Sequence, residues 1–216
     1  MKSRSKKRWP LWRSLLAIAA GFALGCVPMA RLAVAFAGPA AKRRLSGENP
    51  GTTSIKRILG KKAAVVVFTG DCLKGFLPAT IGRAMGAEPW VVDSLMIAPV
   101  AGHVTVVGGK GVATLAGALP GADALAFAMI CPIWVGATLK KDHARGVFVA
   151  ICFYPFARWL LGRSRLHVAL SFSAPLAMIY ARLRSTGWGR SELNARVIWK
   201  RLIYDADPTG DSGGSE

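Results

Sequence analysis

Residues 102–114 have the sequence Gly-His-Val-Thr-Val-Val-Gly-Gly-Lys-Gly-Val-Ala-Thr. Gly108, Gly109 and Gly111 let the backbone take a positive φ and approach a ligand closely. Lys110 adds a cation just before a predicted helix, and the N–H groups at a helix start attract anions. The turn therefore predicts an anion site. A tight membrane turn with one snorkelling lysine is the alternative, and the glycine spacing excludes a Walker A loop.

The composition is typical of a membrane protein. Apolar residues make up 52% of the chain and fill long stretches, which favours an all-α, polytopic membrane helical bundle. The formal charge is +18, from 29 basic and 11 acidic residues. Because the basic residues lie between apolar runs rather than along one soluble face, positive-inside topology explains them, and we expect no nucleic-acid partner.

The apolar runs predict about seven transmembrane or half-spanning helices within a membrane-embedded domain, residues 14–184. Gly25-Cys26-Val27-Pro28 and Arg31 predict a kink in the first span. The helix after the lysine turn would reach only about half-way across a ~30 Å hydrocarbon core, so it must be buried among other helices. The predicted elements are residues 14–37, 63–84, 90–106, 111–119, 122–139, 147–161 and 166–182.

Polar segments flank and interrupt these spans. Residues 1–13 form a basic N-terminal tail, and residues 38–62 form a predicted polar loop. The C-terminal part divides into a basic interfacial tail, residues 185–204, and an acidic, Gly/Ser-rich tail, residues 205–216, which we expect to be disordered.

Alternating the sides of the seven elements brings the 38–62 loop, the lysine turn, residues 139–146 and the C-terminus together. Most basic residues then share this side, whereas Arg83, Arg163 and Arg165 lie on the other, with the basic N-terminal tail as the one contradiction. The positive-inside rule places the shared side in the cytoplasm. We predict a multi-pass protein of the cell membrane, with its site facing the cytoplasm.

The first polar set on the shared side is Ser46 to Thr53 with Ser54 and Arg57. Small hydroxyls, an amide and glycines followed by a guanidinium suit phosphate binding, because arginine can grip two oxygens at once. The alternative is a helix N-cap at Thr52 to Ser54, followed by a basic interfacial helix.

Two further sets lie within the spans. Asp71 and Lys74, followed by Gly75, can pair on one helix face, either as a structural ion pair or in a catalytic role. His103, five residues before the turn, is either a satisfied structural residue or part of the site. The sequence has no Ser-His-Asp order, paired carboxylates or metal cluster. The chemistry would therefore be transfer involving an activated phosphate compound, driven by positioning and charge stabilisation, with no metal or cofactor.

These residues, in this order, resemble the bacterial acyl-phosphate:glycerol-3-phosphate acyltransferases, the PlsY family, over roughly residues 21–120. The family has a Gly-Ser-x-Pro element, a Ser-Gly-Asn-x-Gly-Ala-Thr-Asn loop ending in arginine, an Asp-x-x-Lys-Gly motif and a Gly-His followed by Gly-Gly-Lys-Gly-Val-Ala-Thr. The corresponding residues here are Gly25 to Pro28, Ser46 to Arg57, Asp71 with Lys74 and Gly75, and Gly102, His103 and Gly108 to Thr114.

The resemblance implies a seven-helix membrane fold that transfers a fatty acyl group from acyl phosphate to glycerol 3-phosphate. The product would be lysophosphatidic acid for phospholipid synthesis in the lipid bilayer, and no oligomeric state follows. His103, Lys110 and Arg57 are the expected catalytic residues. The expected substrate-binding residues are Ser46, Gly47, Asn49, Gly51, Thr52, Thr53, Ser54, Asp71, Lys74, Gly75, Gly108, Gly109, Gly111 and Thr114.

The chain departs from the family pattern in several places. Glu48 is inserted or Gly47 replaces a serine, and about five residues are missing before Gly108. A Thr-Arg-Tyr-x-Ser loop is replaced by residues 140–143, and a C-terminal His-x-x-Asn-Ile pattern loses both polar side chains. The general base is left open, and a substrate phosphate oxygen could serve. A changed acceptor, or a membrane protein that binds or transports a phosphorylated or lipid ligand without catalysis, is therefore the alternative function.

Overall fold

The computed structural model of the chain describes residues 8–46, 49–184 and 195–204. Every regular element in these ranges is helical, as the hydropathy predicts. The elements are α1 Leu11–Gly25, α2 Met29–Ala37, α3 Pro39–Leu45, α4 Thr52–Ala84, α5 Pro89–Gly102, a π-helical turn His103–Val107, α6 Val112–Ala122, α7 Ala124–Leu139, α8 His143–Leu160, α9 Arg165–Ser171, α10 Ser173–Leu183 and α11 Ala195–Tyr204.

Four of the described segments are long and apolar enough to cross a membrane, judged by length and composition: Leu11–Ala37, Thr52–Ala84, Pro89–Val107 and Arg165–Leu183. α6 and α7 are shorter apolar helices. The all-α membrane fold is therefore confirmed, whereas the number of seven spanning or half-spanning elements stays a prediction. The expected disordered tail, residues 205–216, lies outside the described residues, as do residues 1–7 of the basic N-terminal tail.

The first apolar segment is broken where the sequence predicts a kink. α1 ends at Gly25 and α2 begins at Met29, after Pro28. A proline has no N–H to continue the helical ladder, and the last carbonyl groups of a helix need other donors. Here the carbonyl oxygens of Gly25 and Val27 accept hydrogen bonds from the ammonium group of Lys74 on α4. Lys74, in the second apolar segment, thus stabilises the break in the first.

The prediction of a continuous polar loop over residues 38–62 is wrong. This segment contains α3 and the first turns of α4, which are separated from the rest of α4 by Gly60 at φ 85°. The basic residues lie on amphipathic helices, because Ala41, Leu45 and Ile55 are buried in one apolar cluster with Val34 of α2 and several neighbours. The alternative of a basic helix after Thr52 is therefore correct, although its N-cap is Gly51, without a side-chain cap.

α6 is a short helix packed tightly inside the bundle. Its 11 residues extend only about 16 Å. A β-carbon on Gly75 of α4 would overlap the carbonyl oxygen of Thr114, and one on Gly117 would overlap that of Cys72, so the two backbones touch through glycines. The prediction that this helix is buried is confirmed, although it continues through Pro120 to Ala122 instead of ending at residue 119.

A second polar network lies at the far end of α5 from the lysine turn. Asp93, near the start of α5, accepts a hydrogen bond from Arg158 at 2.8 Å and lies 2.6 Å from Nδ1 of His167. Asp123 accepts two hydrogen bonds from Arg163, at 2.7 and 3.0 Å. Arg158 is 2% exposed and lies between the two carboxylates. The network joins α5, the α6–α7 junction, α8 and α9.

The described part of the N-terminal tail lies at that same far end. The backbone N–H of Trp9 donates to Glu88, and its indole N–H donates to the carbonyl oxygen of Met85. Both partners belong to the α4–α5 connection, whereas the lysine turn follows the other end of α5. The described end of the tail is therefore separated from the lysine turn, which is the arrangement that the alternation of spans predicts.

Candidate active site

A cavity of about 570 Å³ lies beside the lysine turn. Its walls come from four parts of the chain: the segment before α4, the middle of α4, the turn between α5 and α6, and the start of α8 with the end of α10. The predicted site residues that line it are Asn49, Gly51, Thr52, Thr53, Ser54, Asp71, His103, Lys110 and Gly111. The apolar lining residues include Phe68, Val112 and Val147.

The segment before α4 forms one wall. Ser54 is buried, and its hydroxyl donates to the carbonyl oxygen of Asn49 at 2.8 Å, which folds the segment back on the first turn of the helix. Gly51 is the N-cap and makes no side-chain cap, so the first N–H groups of α4 are left to other partners. Because Thr52 and Thr53 also line the cavity, this wall presents N–H groups and hydroxyls, which suit an anion.

The lysine turn forms the opposite part of the site. Gly108 and Gly111 have φ values of 81° and 71°, in the left-handed region that the sequence predicts for glycine here. Gly111 is the N-cap of α6, and Val112 and Ala113 of its first turn line the cavity with Lys110. The cation and the positive end of the α6 dipole therefore act at the same place.

The start of α8 adds a third helix N-terminus. His143 and Ala144, the first residues of α8, line the same cavity. The N-terminal ends of α4, α6 and α8 thus meet around one space, together with an ammonium group. Each helix end carries about half a positive charge, so the arrangement suits a ligand with more than one anionic group.

Arg182, at the end of α10, is a cavity-lining residue that sequence analysis missed. Its side chain is 2% exposed and donates to the carbonyl oxygen of Ala144 at 2.7 Å. Other N–H groups of its guanidinium donate to the carbonyl oxygens of Leu202 and Ile203 on α11. Its position at the end of an apolar run is the sequence feature that could have identified it. By the positive-inside rule, however, any arginine at the membrane interface has this feature.

His103 lies at the inner end of the cavity, in the π-helical turn. Its Nδ1 is 3.7 Å from Oδ1 of Asp71, which in turn lies 2.9 Å from Nζ of Lys74. A β-carbon on Gly109 would overlap Nε2 of His103, so the lysine turn lies directly against the imidazole ring. A glycine is therefore required at position 109 because the His103 ring leaves no room for a side chain, and not because the backbone has a positive φ. The contact couples the position of His103 to that of the turn.

Several predicted site residues lie away from the described cavity lining. Ser46 and Arg57 are exposed, and Arg57 is one helical turn beyond Thr53. Lys74 points to the α1–α2 break. The others outside the lining are Gly75, Gly108, Gly109 and Thr114, whereas Gly47 lies outside the described residues.

The fold and the site define a helical membrane protein with a cation-lined cavity. A family model described as "Glycerol-3-phosphate acyltransferase" matches residues 15–186. The chain belongs to that family. The match extends well beyond residues 21–120, which carry the sequence motifs.

Curated relatives agree with this assignment. The chain is 34% identical to a glycerol-3-phosphate acyltransferase of Rubrobacter xylanophilus over 172 residues, which are 77% of this chain and 86% of the relative. It is 32% identical to one of Thioalkalivibrio sulfidiphilus over 170 residues, 76% of this chain and 83% of the relative. The acyltransferase interpretation is confirmed at the level of the family, and the comparisons give no support to the alternative of a non-catalytic protein.

Solved structures give the same result. The fold is similar to the crystal structure of PlsY (YgiH), an integral membrane glycerol 3-phosphate acyltransferase, in its glycerol 3-phosphate form. The TM-score is 0.69 and the identity 27%, over 83% of this chain and 98% of that structure. The lysophosphatidic acid form matches with the same TM-score. The predicted resemblance to the PlsY family is confirmed.

Proposed function

We propose that this protein transfers a fatty acyl group from acyl phosphate to glycerol 3-phosphate and releases lysophosphatidic acid and phosphate. It does so as a multi-pass membrane protein, with the cavity facing the cytoplasm. The observation that carries this proposal is the meeting of three helix N-termini with Lys110 around one cavity. Both substrates bear a phosphate group, and such a site can bind two of them.

The lysine turn is assigned to the phosphoryl group of acyl phosphate. An ammonium group and the first N–H groups of α6 would stabilise the charge that collects on the leaving phosphate. Ser46 to Ser54, with Arg57, would hold the phosphate of one or both substrates. Gly47 and Arg57 are included in this assignment only because of their positions in the sequence motif.

We assign His103 and its neighbours to the part of the site that binds the acceptor, glycerol 3-phosphate. His103 orients the acceptor hydroxyl or holds the lysine turn, which it contacts through Gly109. Asp71 lies close enough to steady the imidazole ring, and its contact with Lys74 holds Asp71 in place. Gly75 and Thr114 act through the tight packing of α4 on α6.

The donor explains why the protein needs no nucleophile of its own. The acyl carbon of acyl phosphate already carries a good leaving group, so binding both substrates in line supplies much of the rate. Apolar lining residues such as Phe68 and Val147 would contact the first part of the acyl chain, which would extend toward the bilayer.

The deciding experiment is turnover by the full chain, purified in detergent or lipid nanodiscs. Acyl phosphate and glycerol 3-phosphate should give lysophosphatidic acid and one equivalent of phosphate. Acyl coenzyme A in place of acyl phosphate should give none, and product from acyl coenzyme A alone would contradict the donor assignment. Omitting glycerol 3-phosphate controls for hydrolysis.

The orientation has its own test. Single cysteines placed at positions 42–62, 140–145 and 184–200, in a chain whose four native cysteines are replaced, should react with a membrane-impermeant reagent only in permeabilised cells. A position near Trp9 is the matched control for the opposite side. Reaction of positions 140–145 in intact cells would contradict both the seven-element order and the cytoplasmic site.

A further inference from the structure

The lysine turn packs directly against the π-helical turn that precedes it. A β-carbon on Gly109 would overlap the ring of His103, and one on Gly111 would lie 3.0 Å from a methyl group of Val104. Lys110 lies between these two glycines. About five residues of the family pattern are missing from this connection, so the position of Lys110 follows that of the π-helical turn.

Two arginines from distant parts of the chain bind the end of the π-helical turn. Nη2 of Arg31, on α2, donates to the carbonyl oxygen of Val107 at 3.1 Å. Nη1 of Arg184, which follows the last residue of α10, donates to the carbonyl oxygens of Val104 and Thr105 at 3.0 and 3.2 Å. Neither arginine is among the described residues that line the cavity. They therefore reach the site through the π-helical turn.

The arginines meet two needs of this helix end. The last carbonyl groups of a helix have no N–H partner within it, and the end carries a partial negative charge. This negative end lies beside a cavity that suits phosphate groups, since His103 of the same turn lines it. The two guanidinium groups satisfy three of the carbonyl groups and offset the negative charge. They therefore fix the turn and weaken a repulsion of anions.

We propose that Arg31 and Arg184 are positioning residues that hold Lys110 in place for acyl transfer. This role rests on the proposed function, because it acts through the assignment of Lys110 to the phosphoryl group of acyl phosphate. The guanidinium groups keep the ammonium group of Lys110 and the first N–H groups of α6 directed at one part of the cavity. Neither arginine belongs to the sequence motifs on which the family resemblance rests.

Substitution of the arginines tests the role. Arg31→Met and Arg184→Met should each lower kcat about tenfold, and the double variant about 10²-fold, because a shift of about 1 Å in a reacting site can cost roughly 10²-fold in rate. The KM for glycerol 3-phosphate should change far less. Arg184→Lys should keep most of kcat, because a single nitrogen makes both hydrogen bonds. Arg83→Met, in the exposed last turn of α4 away from the cavity, is the control and should keep wild-type kcat.

A double-mutant cycle with Lys110 separates positioning from general stability. If the arginines act through Lys110, Arg184→Met should cause much less further loss of kcat in a Lys110→Ala background than in the wild type. A general loss of stability would lower kcat by the same factor in both backgrounds, because independent effects add. Equal factors in the two backgrounds would therefore contradict the role.

Hydrogen exchange gives a measurement that needs no turnover. Without the carbonyl contacts, the backbone N–H groups of residues 104–111 should exchange faster in the Arg31→Met, Arg184→Met double variant than in the wild type. Those of residues 91–96, in the first half of α5, should not change. The Arg83→Met control should match the wild type in both segments. Unchanged exchange over residues 104–111 would show that the arginines do not hold the turn.

The outcomes separate this inference from the proposed function. An active wild-type protein whose double variant stays within a few-fold of it in kcat overturns the role of the arginines and leaves the acyltransferase intact. A folded wild-type protein without turnover overturns both. Size-exclusion profiles and Tm values of the variants show that any loss of kcat comes from folded protein.

Discussion

The ammonium nitrogen of Lys74 lies 2.9 Å from Oδ1 of Asp71, with both side chains less than 5% exposed. It also donates to two carbonyl oxygens at the α1–α2 break, at 3.1 and 3.0 Å. All three N–H groups of this lysine therefore have partners within the bundle. Removing one member of a buried pair leaves an uncompensated charge, which costs about 3–5 kcal/mol. We expect Lys74→Met to lose much of its folded yield and to have a clearly lower Tm.

Two further variants sharpen this prediction. Lys61→Met, at an exposed position of α4, is the control for loss of a lysine and should unfold like the wild type. The double variant Asp71→Asn, Lys74→Met should recover part of the loss, because it removes both charges. If Lys74→Met unfolds at the same temperature as Lys61→Met, the pair does not stabilise the fold.

The contact between Gly109 and the His103 ring leaves no room for a side chain. Gly109→Ala would displace either the ring or the lysine turn, and a shift of about 1 Å in a reacting site can cost roughly 10²-fold in rate. We therefore expect a large loss of kcat with folded protein. Gly136→Ala is the control, because a β-carbon at Gly136 of α7 would meet open space. Comparable kcat for the two variants would show that the contact is not needed for turnover.

Much of the site could be predicted from local sequence, because its elements are local. The glycines at 108 and 111 are needed for a turn that the neighbouring residues determine, and the N-terminus of α6 follows directly. Asn49 to Ser54 reach the cavity for the same reason. The role of Lys74 could not be predicted, because its ammonium group donates to carbonyl groups almost 50 residues earlier in the chain. A lysine that contacts a phosphate and one that secures a helix break have the same sequence signal.

The extent of regular structure was harder to predict in the polar segment 38–62. Its many basic residues give this segment the composition of a loop, but its apolar residues pack against α2 and the start of α4. That burial is a property of the tertiary structure, which stabilises short amphipathic helices more than propensity does. Arg182 illustrates the same point, since its partners on α8 and α11 lie far along the chain.

The pair of Asp123 and Arg163 predicts a pH dependence of stability. Burial raises the pKa of Asp123, but hydrogen bonds from Arg163 and the N–H of Ala126, with the charges of Arg163 and Arg158, outweigh it and lower the pKa below its ordinary 3.8. A carboxyl with a lowered folded-state pKa stabilises the protein above its unfolded pKa. The contribution disappears as the pH falls through the folded value.

We therefore expect Asp123→Asn to lower the Tm at pH 7, and the difference from wild type to shrink as the pH falls below about 3.8. Thermal unfolding in detergent from pH 7 to pH 3 measures it. Asp142→Asn is the control, because it breaks a partly exposed ion pair with Arg145, and surface pairs contribute about 0–1 kcal/mol. A difference for Asp123→Asn that stays constant down to pH 3 would contradict the assignment.

Lys110 is the residue on which the assignment of the acyl-phosphate site depends most directly. It lines the cavity between the N-cap glycine of α6 and the ring of His103. Losing one preorganised donor to a developing oxyanion costs about 10²–10³-fold in rate. Lys110→Ala should therefore lower kcat by about that factor with an unchanged Tm. Lys110→Arg should rescue poorly, because a planar guanidinium does not fit a turn that holds a compact ammonium group.

The alternative of a snorkelling lysine predicts a different result. In that case Lys110→Ala keeps turnover within a few-fold of wild type, and Lys110→Arg is fully active. Lys140→Ala, at an exposed position of the α7–α8 turn, is the control for the loss of one positive charge outside the cavity lining. Lysophosphatidic acid formation by the three purified variants, normalised to folded protein, distinguishes the two. Normal turnover by folded Lys110→Ala would remove the lysine from the chemistry and leave the helix N-termini as the phosphate-binding groups.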